Sequence, residues 1–191
     1  NLILPATTLT NSCYGAMFMN CTSLTTAPEL PATTLATQCY FGMFLYCTSL
    51  TTAPSVLPAT TLAANCCYYM FGGCTSLTTA PSVLPATILA DGCYASMFSN
   101  CTSLTTAPEL PATTLVDSCY GGMFQGCTSL NCIKCLATDI SATNCTGSWV
   151  DGVASTGTFV KAPSMTSWTT GTNGVPVNWT VEEYVNYAKE P

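Results

Sequence analysis

The motif Leu-Pro-Ala-Thr stands at Leu4, Leu30, Leu57, Leu84 and Leu110, and Cys-Thr-Ser-Leu follows it in the same steps at Cys21, Cys47, Cys74, Cys101 and Cys127. Five registered copies of a unit of 26 or 27 residues restrict the chain more than any other feature. A unit this short cannot bury a hydrophobic face alone, so neighbours must stack into a solenoid with ladders of identical side chains. The unit reads Leu-Pro-Ala-Thr-Thr-Leu, three variable residues, Cys-Tyr-x-x-Met-Phe-x-x-Cys-Thr-Ser-Leu-Thr-Thr-Ala-Pro, and a short link. The extra residue of the longer units falls in that link, as Ser55-Val56 and Ser82-Val83 where Glu29 and Glu109 stand alone, which marks a corner.

Stacking predicts a Leu ladder (Leu9, Leu35, Leu62, Leu89, Leu115) and a Phe ladder (Phe18, Phe44, Phe71, Phe98, Phe124) as the core. The β-branched, Pro-bounded Ser-Leu-Thr-Thr-Ala reads as a strand, and Ala-Thr-Thr-Leu as a second short one. Cys-Tyr-x-x-Met-Phe-x-x-Cys has apolar residues at helix-like offsets, which predicts a short α- or 3-10 helix. Residues 1–130 are expected to form the five-coil solenoid. Asn1-Leu2-Ile3 stands where later units have a half-coil, so further repeats or an identical chain are expected at that end. Residues 131–191 read as degenerate closing coils and a C-terminal cap containing Trp149, Trp168 and Trp179. Within them Thr172-Asn173-Gly174-Val175 carries a turn signal. Thr180 with Glu183 fits a capping box that opens a helix through Tyr184 and Tyr187.

Charged residues make up only 6% of the chain, with no His, no Arg and three Lys (Lys134, Lys161, Lys189), for a net charge of -6. Such a chain offers no basic patch for a nucleic-acid backbone. No apolar run approaches the roughly 18 residues of a membrane span, so no membrane insertion is expected. Without His, and with only Glu29, Asp91, Glu109 and Asp117 inside the array, a catalytic apparatus is not expected. Asp91 and Asp117 share a repeat position in adjacent coils but read as solvated surface carboxylates. No cofactor and no metal are expected.

Ten of the 14 cysteines occupy two fixed repeat positions, beginning at Cys13 and Cys21, which predicts two thiol rows in the core. Disulfides between neighbouring coils are the alternative, although five equivalent rungs cannot all pair along one row. Cys67 replaces the Tyr of the other units and reads as an exposed, reactive thiol. Cys132-x-x-Cys135 with Cys145 suggests part of a zinc site but needs a fourth ligand from Cys127. Asn20, Asn100, Asn144 and Asn178 open N-x-Thr sequons.

Two surfaces remain. An invariant Thr row (Thr25, Thr26, Thr51, Thr52, Thr78, Thr79, Thr105, Thr106) is explained by β propensity and hydroxyl ladders, with ice binding as an alternative use. The second surface gathers the positions at which the units differ. Phe41, Tyr46, Tyr68 and Tyr69, with Asn20 and Asn100, have the content of a binding paratope, in which rigid aromatic area sits beside adaptable polar groups. This ridge is the expected ligand-binding surface.

The run Met-Phe-x-x-Cys-Thr-Ser-Leu-Thr, followed by a Pro-containing extended stretch, resembles the BspA-like (Treponema-type) leucine-rich repeat over residues 4–130. The Leu-Pro-Ala-Thr-Thr-Leu variant is similar to the form found in surface proteins of gut Bacteroidales and in tail or fibre proteins of their phages. The stretch from Gly157 to Thr180 resembles the closing segment of those repeat proteins. The unit here is longer than the family's, and Cys13-type residues stand where the family places an aliphatic. The resemblance implies an α/β leucine-rich-repeat-type solenoid on a cell or virion surface. It implies a non-enzymatic recognition or adhesion role towards a cell-surface protein or glycan, or a phage tail-fibre segment for host recognition or structure.

Overall fold

The computed structural model describes residues 2–166 and 168–185. Successive units stack in parallel, each meeting the next at the same point of its repeat. Among the described residues there is no helix, so the turn or two expected at Cys-Tyr-x-x-Met-Phe-x-x-Cys is corrected to a ribbon of overlapping β-turns. In the first coil the N–H groups of Cys13, Gly15, Met17, Met19 and Cys21 donate to carbonyls three residues back, at 3.0–3.3 Å. The alternate N–H groups of Ser12, Tyr14, Ala16, Phe18 and Asn20 donate to the next coil, to the carbonyls of Thr37, Cys39, Phe41, Met43 and Leu45, at 2.7–3.0 Å. The ribbon's buried backbone is satisfied alternately within a coil and between coils. The same alternation continues as far as the coil containing Cys145, whose Cys145, Gly147 and Trp149 N–H groups donate locally to Ala142, Asn144 and Thr146.

The side chains explain why this pattern imitates a helix. Cys39, Tyr40, Met43, Phe44 and Cys47 are buried, while Phe41, Leu45 and Tyr46 face outward. Pairs of core residues recurring every four positions match the i, i+4 spacing of a helical face. The residue before each pair, however, takes a positive φ, as at Gln38 (57°) and Gly42 (55°), which an L-residue helix excludes.

The Thr-Thr segments meet their neighbours in single parallel bridges, Thr26 to Thr52 to Thr79 in one lane and Thr8 to Thr34 or Thr61 to Ile88 in the other. Strands of four residues form further along, β1 (Cys132–Cys135), β2 (Thr158–Lys161) and β3 (Thr180–Glu183). They make a parallel sheet in the order β1-β2-β3, with Cys132 opposite Thr158 and Thr158 opposite Thr180. Thr180 therefore opens a strand and not a capped helix, because the free edge of β2 offers its backbone a complete ladder. Glu183 instead pairs with Lys161 at 2.8 Å, and Tyr187 lies outside the described residues.

Aromatic rings run along the stack. Phe18, Phe44, Phe71, Phe98 and Phe124 lie nearly parallel, with centroids 5.3–5.9 Å apart. A Tyr ladder beside it joins Tyr14 to Tyr40 and Tyr94 to Tyr120, with Cys67 in the gap between the two pairs. Both ladders end on Trp149, which is fully buried, stacks on Tyr120 and Trp168, and donates its Nε1–H to the Gly174 carbonyl at 2.8 Å. A tight turn at Gly171–Gly174 carries that carbonyl, and Asn173 in the turn accepts the Ser148 N–H at 2.6 Å.

Candidate functional site: an aromatic ridge on left-handed backbone

Each ribbon holds three residues at positive φ: Ser12, Ala16 and Asn20 in the first coil, Gln38, Gly42 and Tyr46 in the second, Asn65, Tyr69 and Gly73 in the third. Gly has no Cβ to clash there, and a short polar side chain can bond locally, so Gly, Asn and Ser fill most of these rows through to Asn144, Ser148 and Gly152. The sequon residues Asn20, Asn100, Asn144 and Asn178 all adopt this conformation, with φ between 52° and 66°. Ala16 and Gln38 depart mildly from the rule, whereas Tyr46 (φ 61°) and Tyr69 (φ 54°) place full aromatic side chains on it. The left-handed conformation costs an ordinary L-residue roughly 1–2 kcal/mol. Tyr46 recovers little of that by burial, since it is 55% exposed.

These residues meet on the second and third coils. Phe41 stacks on Tyr68 with centroids 5.6 Å apart and planes within 13°, and Tyr69 presents its edge to Tyr68 at 4.6 Å. All three rings are half-buried. Glycines make room for the cluster. A Cβ at Gly72 would lie 2.9 Å from both Leu45 and Tyr69, the Tyr46 ring occupies the space beside Gly73, and Met19 and Leu45 pack beside Gly42. The structure thus unites Phe41, Tyr68 and Tyr69 and sets Tyr46 next to them. Asn20 lies beside that edge, its N–H donating to the Leu45 carbonyl. Asn100 stands beyond Gly73, with its amide on Ser99 Oγ at 3.1 Å. Leu45 is itself one of the positions at which the units differ, whereas the glycines are the parts that this pattern leaves unassigned; Gly72-Gly73 beside Tyr68-Tyr69 is the signal that marks them.

Burial, reinforced by Tyr69, raises the Tyr68 phenol above its ordinary value, so that phenol stays uncharged through the neutral range. The ion pairs found among the described residues, Lys134–Glu109 and Lys161–Glu183, belong to later coils. A surface of partly exposed aromatic rings without ionic side chains among them suits apolar or C–H-rich ligand faces.

The cysteines lie elsewhere, as free thiols. Cys47, Cys74, Cys101 and Cys127 donate Sγ–H to the carbonyls of Phe18, Phe44, Phe71 and Phe98 at 2.9–3.1 Å. Cys67 is buried, not exposed, because the Tyr position it fills faces the core. Its hydrogen bond with Cys66 and its burial hold the thiol well above the usual range. Cys132 and Cys135 sit three apart on β1, one half-buried and the other buried, and among the described residues no three metal-ligating side chains converge. The Asp117 carboxylate accepts the Thr143 N–H at 2.9 Å.

Thr25, Thr26, Thr78, Thr79, Thr105 and Thr106 are exposed, and a second exposed lane runs through Thr33-Thr34, Thr60-Thr61 and Thr113-Thr114. Some first-lane hydroxyls tie coils together, Thr51 donating to the Thr25 carbonyl at 3.0 Å and Thr78 to that of Thr51 at 3.2 Å.

No protein-family model, curated protein or solved structure matches the chain.

Proposed function

We propose that the chain is a non-enzymatic extracellular recognition or adhesion module, a leucine-rich-repeat-type solenoid of the BspA-like kind that binds a cell-surface protein or glycan. Phe41, Tyr46, Tyr68 and Tyr69 make the contact surface, flanked by Asn20 and Asn100. The observation that carries this reading is the placement of Tyr46 and Tyr69 on left-handed backbone where the other coils hold mainly Gly, Asn or Ser. Neither core packing nor backbone geometry calls for an aromatic there, and strain kept without a structural return points to use at a site. Rings already held in place lose little side-chain freedom on binding, which favours the capture of sugar faces or apolar side chains. A bacterial surface adhesin and a phage fibre are two settings for the same module.

The test is a glycan and cell-surface-protein array probed with the chain and with the Tyr46→Ser/Tyr68→Ser/Tyr69→Ser variant, whose fold is checked by circular dichroism. Selective binding that the folded variant loses is expected. Binding that survives in the folded variant removes the ridge from the proposal. The two exposed Thr lanes support a second reading, ice binding, whose signature is thermal hysteresis in the chain's own solution; its absence at high protein concentration disposes of that use.

A further inference from the structure

The third coil departs from its neighbours inside the core. The first buried pair of the ribbon is Cys39-Tyr40, Cys93-Tyr94 and Cys119-Tyr120 in other coils, but Cys66-Cys67 in the third. The Tyr ladder is interrupted there, and a gap lined by Leu30, Leu57, Leu62, Tyr40 and Tyr94 lies beside Cys67. In a strand, successive side chains point to opposite faces. In this ribbon the inward residues come as adjacent pairs, so the two thiols share one side of the backbone, and their sulfurs lie 3.8 Å apart in a hydrogen bond. The thiols of Cys47, Cys74, Cys101 and Cys127 instead donate to backbone carbonyls.

We infer that Cys66 and Cys67 are a redox switch, which closes to a disulfide between adjacent residues when hydrogen peroxide reaches it and reopens in a dithiol, and whose closure loosens the Tyr68-Tyr69 part of the aromatic ridge. Both thiols are buried, so the oxidant must be little larger than water, as peroxide is. The Cys66 sulfur, as thiolate, attacks one peroxide oxygen. The O–O bond breaks, Cys66 becomes a sulfenic acid, and the departing hydroxide takes up a proton to become water. The Cys67 sulfur, having lost its proton, then attacks the Cys66 sulfur. The S–S bond forms, the S–O bond breaks, and a second hydroxide leaves and is protonated to water. Two thiols and one peroxide thus give one disulfide and two waters, the sulfurs supplying the two electrons. The hydrogen bond from Cys67 holds the Cys66 thiol below its ordinary value, which favours the attacking thiolate.

The spacing of the pair makes the bond reversible. Adjacent Cα atoms lie about 3.8 Å apart, closer than the about 4.4–6.8 Å that ordinary disulfides span, so closure twists the peptide between them. Strained disulfides are the readily reduced ones. That same peptide joins three coils, since the Cys66 carbonyl accepts the Tyr40 N–H at 2.8 Å and the Cys67 N–H donates to the Cys93 carbonyl at 2.9 Å. The Tyr68 and Met70 N–H groups donate back to the Asn65 and Cys67 carbonyls at 3.2 Å. A twist between Cys66 and Cys67 therefore passes directly to the backbone that holds Tyr68 against Phe41 and Tyr69. An effect of the switch on ligand capture rests on the reading of that ridge as the contact surface; the sulfur chemistry and the local loosening do not.

The test uses the full chain with the exposed Cys13 and Cys21 replaced by Ser, reduced, freed of reductant and treated with hydrogen peroxide. After alkylation, peptide mass spectrometry is expected to find the segment holding Cys66 and Cys67 unalkylated and lighter by two hydrogens, and dithiothreitol is expected to restore both thiols. Hydrogen exchange at the amides of residues 66–70 is expected to run at least ~10-fold faster in the oxidised chain. Cys67→Ser should abolish the loss of two hydrogens. Two thiols that remain alkylatable, a disulfide from either residue to Cys39 or Cys93, or the same loss in Cys67→Ser overturns the pair. A closed pair with unchanged exchange overturns its coupling to the ridge. If the pair closes and exchange quickens while array binding stays the same, the switch stands and the ridge is removed as the contact surface.

Discussion

Raising the pH should unfold this protein through its cysteines. Desolvation pushes the thiols of Cys74, Cys119, Cys127 and Cys135 up to about 12 from an ordinary 9.0, each being enclosed among the stacked rings and aliphatic side chains. In the unfolded chain these thiols ionise from about pH 9, while in the folded chain they remain protonated. A group whose folded pKa is raised leaves stability intact below the unfolded value and erodes it as pH climbs towards the folded one. One pH unit above 9, each thiol costs about 1.4 kcal/mol, so the four together cost about 6 kcal/mol. That is comparable to the whole stability of an ordinary domain, about 5–15 kcal/mol. Burial raises Cys101 and Cys93 in the same direction and steepens the loss. The assay is urea unfolding followed by circular dichroism at pH 7, 8, 9 and 10, with a phosphine reductant present to keep every thiol reduced. Stability should be flat from pH 7 to 8 and fall steeply by pH 10. The buried Tyr40, Tyr94 and Tyr120 phenols, also raised chiefly by burial, add to the loss only as their unfolded value of 10.0 is approached, so the onset near pH 9 reports the thiols. The double variant Cys74→Ala/Cys127→Ala should be less stable at pH 7 and show a shallower alkaline slope. Equal unfolding free energies at pH 8 and pH 10 in the unaltered chain would refute the placement of these thiols in a dry core.

Tyr46→Asn should leave stability unchanged or raise it by about 1 kcal/mol, since Asn suits the left-handed backbone, while ligand capture falls; a clear drop in Tm would show that Tyr46 contributes to the fold. Phe71→Ala removes a ring that lies 5.3 Å from Phe44 and 5.5 Å from Phe98 and should cost about 3–5 kcal/mol in urea unfolding, whereas a cost under 1 kcal/mol would contradict a tightly packed ladder. Cys67→Tyr should restore the missing rung between Tyr40 and Tyr94 and raise the Tm, because the space beside Cys67 is lined by Leu30, Leu57 and Leu62 with those two rings. A lower Tm would mean that the third coil has closed around the thiol and the added ring overfills it.

The stacking of units and the aromatic ladders are legible in the sequence because identical residues recurring at fixed steps must superpose when coils stack. The path of the chain between ladder positions is not, since two backbones satisfy the same apolar pattern. Core pairs every four residues fit a helix face, and Cys-Tyr-x-x-Met-Phe-x-x-Cys reads as one when apolar positions alone are considered. The residues just ahead of the core pairs carry the missing information. Gly, Asn or Ser at every fourth position would weaken a helix, yet it is what a ribbon with recurrent left-handed residues requires. The same rule resolves Cys67, whose column belongs to the inward half of the ribbon, so a smaller side chain there leaves a gap in the core and no exposed thiol. At Thr180 and Glu183 the local spacing of a capping box competes with the open edge of β2, and four residues of ladder outweigh one cap. Applied to the ridge, the rule separates its members. Asn20 and Asn100 fill positions where Asn is already favoured by the backbone, so their presence alone says little about binding. Tyr46 and Tyr69 stand where the backbone disfavours them, and Phe41 and Tyr68 complete the surface they form. An aromatic residue that neither the core nor the backbone calls for is the feature of this chain that most needs a ligand to explain it.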